Sequence, residues 1–212
     1  TEFAVIGYGG QSRRLAPLEG NFTTNPGELI GAVNQLSLPQ PCTGPGQCRD
    51  YHDALRSARA LIEGDLIGLE AGQRVLTEYV VMLLVAGPHA PLARNIDCCA
   101  SDDSACRGGR SDPSLECQGQ LDTEIVSEMV ETVESMGGLG LRFHVVHFGA
   151  EEDDAVNLAV QEGMVQTAFA GNGTYRRFNN VSGLSVVDFD VLEQRSSLRA
   201  KTIYAANLNA KP

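Results

Sequence analysis

Apolar and polar positions divide the chain into short hydrophobic runs separated by glycine, proline and acidic residues. The most continuous run begins at Tyr79; no polar residue interrupts Val80–Ala86, and the run stops at Gly87-Pro88. A strand without alternation has both faces buried, which predicts a central strand of a parallel sheet. Phe3–Tyr8, ended by Gly9-Gly10, and Leu141–Phe148, ended by Gly149, read as two more buried strands. Leu15–Gly20 predicts a short edge strand, and Tyr175–Phe178 another short strand after the turn Gly171-Asn-Gly-Thr174. Leu198–Ala206 alternates polar and apolar residues, the pattern of an edge strand or hairpin arm.

Between these runs the period changes to that of helices. Pro26 suits a first helical position, and the spacing behind it sends Leu29, Ile30, Val33 and Leu36 inward. Asp50 is placed to cap a helix through Ile62 that turns Tyr51, Leu55, Ala58, Leu61 and Ile62 to one side, with a loop over 64–72. Leu121-Asp122-Thr123 leads into a helix with Ile125, Met129, Val130 and Val133 inward, Glu124, Glu128, Glu131 and Glu134 outward, and Gly137-Gly138 as its stop. Asp153-Asp154 begins a helix carrying Ala155, Leu158, Ala159 and Val165.

These elements alternate as in an α/β fold with a mostly parallel central sheet flanked by helices, over residues 1–180. A cysteine-rich insertion at 94–119 and a β extension at 181–212 complete the 212 residues. The 42% apolar content suffices for a core, and no apolar run approaches the roughly 20 residues that span a bilayer. A net charge of −11 without a basic cluster argues against nucleic acid and anionic membranes as partners. The chain opens at Thr1 without a leader, the start expected of a processed protein or of an excerpt from a longer one.

Six cysteines bear on compartment. Cys42 and Cys48 flank a turn-rich loop that a local bridge would close; Cys98, Cys99, Cys106 and Cys117 crowd a polar segment with too little apolar surface to order itself. Disulfides supply that missing constraint and point to an extracytoplasmic location, in the periplasm, at the cell surface or secreted. Zinc is the rival, but the spacing lacks the paired C-x2-C knuckles of common zinc sites.

Phe3-Ala-Val-Ile-Gly-Tyr-Gly-Gly10, Tyr51-His-Asp-Ala-Leu-Arg-Ser-Ala58, Tyr79-Val-Val-Met-Leu-Leu-Val-Ala-Gly87, and Leu141–Gly149 followed by Gly171–Phe178 come in an order that resembles a von Willebrand factor A domain, of the kind in bacterial secreted or surface proteins. The resemblance implies a metal-ion-dependent adhesion site, in which hydroxyls and carboxylates from three loops hold a divalent cation. It also implies that the site is degenerate here. The Asp-x-Ser-x-Ser loop should follow an opening strand, whereas this chain begins at what resembles the second strand; the threonine position falls near Arg49, and the aspartate position on Ala86. A guanidinium at Arg49 would bring fixed positive charge to the cation's place; the plainer reading is an exposed loop arginine.

Other chemistry is thinly supported. Gly7-Tyr-Gly9-Gly10 lacks the third glycine of a dinucleotide fingerprint. His144 and His147, three apart in a strand, point to opposite faces and cannot share a metal, and no spacing fixes partners for His52 and His89. The acidic clusters do not follow a calcium-loop pattern, and no Gly-x-Ser-x-Gly motif occurs. The expectation is a protein without catalytic residues, cofactor or metal. It would act as an interaction or structural module of a surface or envelope assembly and bind other protein subunits, with Arg49, Asp50 and His89 as candidate ligand contacts. The alternative is an adhesin whose metal site is completed by an upstream or partner strand.

Overall fold

The tail strand, expected at an edge, lies in the middle of the sheet. The computed structural model describes residues 1–9, 11–36, 50–85, 115–148, 155–178 and 199–207. In chain order these form β1 (Glu2–Tyr8), β2 (Arg13–Ala16), α1 (Pro26–Leu36), α2 (Tyr51–Gly68), α3 (Ala71–Arg74), β3 (Thr77–Val85), α4 (Leu115–Ser135), β4 (Gly140–Phe148), α5 (Ala155–Ala170), β5 (Tyr175–Phe178) and β6 (Arg199–Asn207). The six strands lie in the order β2-β1-β6-β3-β4-β5. All neighbours run parallel except β2, which is antiparallel to β1 at one edge.

β6 is paired on both sides, with β1 from Glu2↔Lys201 to Tyr8↔Asn207 and with β3 from Thr77↔Arg199 to Leu84↔Ala206. Its alternation therefore marks two differently lined faces. Lys201, Ile203 and Ala205 share the face of the main core, where Ile203 and Ala205 meet Ala4, Ile6, Tyr79, Val81 and Leu83. That face is covered by α2, α4 and α5 through Leu55, Ala58, Ile62, Leu66, Val126, Met129, Val133, Val160 and Met164. A second, smaller cluster of Val5, Leu15, Ala16 and Ala32 lies on the other face of β1, under α1.

α1 presents a different face from that expected. In α1 the inward residues are Ala32 and, half-buried, Leu29, while Ile30 and Val33 are 62% and 57% exposed. β2 is only four residues long, so α1 has a small surface to cover. In α5 the packed residues are Val160, Met164, Thr167 and Ala168, and Val165 faces outward. α2 runs through to Gly68 rather than stopping at Ile62, because Asp65 and Leu66 continue its buried face. α4 begins at Leu115, so the last residues of the expected insertion are helical and Cys117 lies in that first turn. The other five cysteines fall outside the described residues.

Glycine is required at the crossing between α5 and β5. A Cβ on Gly173 would collide with the carbonyl of Phe143, and one on Gly171 with the Phe143 side chain. Gly137, at φ +80°, ends α4, with the Gly138 amide donating to Val133 O at 2.8 Å.

At the amino ends of the strands a buried ionic cluster ties β6 to α2. Lys201 Nζ, in a residue 4% exposed, donates to Asp65 Oδ1 at 2.7 Å and lies 3.0 Å from Glu2 Oε2 and 5.0 Å from the centre of the Phe22 ring. Tyr79 Oη donates to the other Asp65 oxygen at 2.5 Å. Burial and the adjacent Asp65 carboxylate push the Tyr79 phenol well above its ordinary range, so it remains a donor. Removing one member of such a cluster leaves a buried charge uncompensated. Lys201→Met is expected to cost about 3 kcal/mol in urea unfolding, and Lys201→Met with Asp65→Asn markedly less, because the second change removes the carboxylate that the first leaves uncompensated. A double variant as destabilised as Lys201→Met alone would show that the buried charge is not the cause.

Candidate functional site

In chain order β2 lies to one side of β1, whereas β3, β4 and β5 follow one another outward on the other side, with β6 between the two runs. Open, mostly parallel sheets bind ligands outside the carboxyl ends of the strands, where the strand order reverses. Here that point lies between the ends of β1 and β3, around β6. Tyr8, at the end of β1, spans it: its hydroxyl donates to Leu84 O of β3 at 2.5 Å, across the intervening β6. Tyr51 packs edge-on against the Tyr8 ring with centroids 5.5 Å apart.

The start of α2 is fixed to this edge through Asp50. Its amide donates to Gly9 O at 2.9 Å, just past β1, and its carboxylate accepts from the Asp53 amide at 3.0 Å, capping the helix as its position in the sequence predicts. Asp53 in turn accepts from the Ser12 amide. The Ser12 hydroxyl donates to Asp53 O at 3.1 Å and shares a hydrogen bond with Ser57 Oγ at 2.5 Å.

Behind this rim, His52 and Asp122 join α2 to α4, with Nε2 and Oδ1 3.4 Å apart and residue exposures of 0% and 1%. Burial first, and the nearby Asp50 charge second, hold the Asp122 carboxyl well above the usual carboxylate range. Asp122 thus supplies a buried acid beside an imidazole. A histidine–carboxyl pair is only part of a catalytic set, and the hydroxyls at this rim, Ser12 and Ser57, are engaged with each other and with Asp53. Among the described residues, no group of three or more His, Cys, Asp or Glu side chains is placed to hold a metal ion.

Of the expected ligand contacts, Asp50 is fully buried at this edge, while Arg49 and His89 lie outside the described residues. His144 and His147 face opposite ways. His144 Nδ1 accepts from the Thr174 amide at 3.2 Å and lies 3.0 Å from the Thr174 hydroxyl, whereas His147 Nδ1 lies 2.9 Å from Tyr175 Oη. Both serve to fix the approach to β5. Burial lowers both imidazoles, assisted at His147 by Arg177, whose charge helps bring it to about 4.

Asp122 and Asp65 escape a reading for chemistry, yet helical period exposes both. Asp122 precedes Ile125 by three residues and Met129 by seven, and Asp65 follows Leu61 by four. Each lies on the apolar face of its helix and is therefore buried.

No family model matches the chain, and neither curated proteins nor solved structures give a match. Among the described residues no helix is long and apolar enough to cross a membrane.

Two opposite pH dependences follow. The folded protein keeps the Asp122 proton that the unfolded chain releases near pH 4, so this group's stabilising contribution is lost as pH rises through its raised pKa. Asp122→Asn should therefore gain stability relative to the parent from acid to neutral pH, measured as urea midpoints across a pH series. His147 acts in the other direction. Neutral in the fold down to about 4, it destabilises as pH falls from about 6.5, where the unfolded imidazole takes up its proton. His147→Gln should flatten that limb; an unchanged slope would show that His147 does not produce it.

Proposed function

We propose that this chain is a non-enzymatic interaction or structural module of the von Willebrand A type, a part of an extracytoplasmic surface or envelope assembly whose partners are other protein subunits. The observation that carries the reading is the place of β6. The resemblance supposes an opening strand ahead of the one at Phe3, and β6 lies between β1 and β3, where such a strand would stand. An antiparallel edge strand beside β1 fits the same arrangement.

The reading extends to the metal site. The sequence that leaves β6 is Asn207-Leu-Asn-Ala-Lys211, which offers two amides and an ammonium where an Asp-x-Ser-x-Ser loop would offer a carboxylate and two hydroxyls. With Arg49 and Ala86 at the other two positions, all three ligand positions lack the anionic or hydroxyl oxygen that magnesium demands. The adhesin alternative requires an upstream or partner strand to bring the missing motif. A slot already filled from within the chain favours the metal-free module. Segments added to such a scaffold commonly carry its contacts, and the cysteine-rich insertion at 94–119 and the tail after Asn180 are the candidates that the sequence offers.

Calorimetric titration with magnesium and manganese discriminates the two readings. The expected outcome is no binding heat and no thermal shift at millimolar metal. Saturable binding at one site, with a matching rise in melting temperature, would establish the adhesin reading instead.

A further inference from the structure

β6 follows the other described strands in the chain and is inserted between two of them. It follows β5 in the chain, yet β5 is at the far edge of the sheet and β3 and β4 lie between them. Three strand spacings separate the two, about 14 Å, and the connection must also return along the length of a strand, about 30 Å. The twenty or so residues of 179–198 can extend over roughly 65 Å. The link therefore tolerates β6 in its own sheet or in that of a neighbouring molecule. β1 and β3 pair only through β6, so its departure opens a slot with one strand edge on each side. Direct bridges across that slot already exist. Tyr8 Oη reaches Leu84 O, and α2 packs its apolar face on residues of both halves.

The slot has its own chemical selectivity. At its amino end Asp65, Glu2 and Phe22 form a buried seat for one cationic side chain, filled by Lys201. Two places along the same face it takes Ile203, and then the small Ala205. We propose that the slot between β1 and β3 is a strand-acceptor site, and that its second occupant is residues 199–207 of another copy of this chain, giving reciprocally exchanged dimers. The matching sequence is present in every copy, with lysine, isoleucine and alanine at the spacing the slot accepts. An exchanged strand keeps every hydrogen bond and ion pair of the closed form. Exchange therefore alters only which molecule supplies the strand, the condition under which swapping occurs at little cost.

A complementary charge pair tests this on full-length chains. One variant carries Lys201→Glu; the other carries Asp65→Lys with Glu2→Lys. Each mismatches its own strand and slot, whereas a mixture lets each slot receive the strand of matching charge. The expected result is a species of twice the monomer mass only in the mixture, melting above either variant alone. A mixture that behaves as the sum of its parts, with both variants folded, would overturn the proposal. Should either variant not fold, the unaltered protein decides. A fluorescent peptide spanning 198–212 should enter it below its melting temperature, at least tenfold faster than the same peptide with Lys201→Glu. No uptake below melting, or equal uptake of both peptides, would overturn exchange.

Discussion

The sheet exists as one sheet because β6 lies between β1 and β3. Without it the hydrogen-bonded strands fall into two groups, β2-β1 and β3-β4-β5, with no ladder between them. Every other feature depends on that join. The carboxyl ends of β1, β6 and β3 are brought level, Tyr8 can reach Leu84, and α2 finds a continuous floor for Leu55, Ala58 and Ile62. Parallel pairing of segments this distant in sequence is a late, costly step in folding, since loop closure precedes any reward from contacts. The helix layer is the part of the core that can form first. α2 and α4 meet through their own apolar faces, and the two glycines Gly119 and Gly163 let α4 and α5 approach closely.

A buried lysine in the strand that arrives last fixes how that strand docks. Side chains alternate between faces, so a slip of one residue would send Lys201 and Ile203 away from α2 and bring Thr202 and Tyr204 into the core. At Ala205 and Ala206 the slip changes nothing in side-chain size, and at Ile203 it costs one buried apolar side chain. Lys201 penalises it strongly, since the buried Asp65 would lose its counter-charge in a low-dielectric setting. The ion cluster thus supplies register more than net stability, the use for which buried charge is best suited.

Much of this was legible in the residues, for identifiable reasons. β3 and β4 carry apolar runs that burial on both faces requires, and α2 shows its whole face, Tyr51 through Ile62, by period alone. Asp50 is a helix cap in sequence and in structure. The face of α1 was misjudged because the helix is apolar on more than one side, and period cannot choose between apolar faces. Ile30 and Val33 are as hydrophobic as the inward Ala32; what decides is the small area of β2 beneath them. The placement of β6 was not readable at all. Alternation signals two unlike faces, and an edge strand is its commonest cause. Here the cause is a lysine buried among carboxylates, which only the fold brings together.

The two ends of the sheet handle buried charge in opposite ways, and this bears on function. At the amino end a carboxylate is paired with a lysine at 2.7 Å, and the group acts as a lock. At the carboxyl end Asp122 is driven toward its neutral form by burial beside a second carboxylate, and Asp50 is committed to the start of α2. A metal site needs carboxylates that remain charged and aimed outward. Asp50 and Asp122, the acids buried near the switch point, instead serve the packing of α2 on β1 and on α4. An edge organised in this way can support the loops above it as a rigid base.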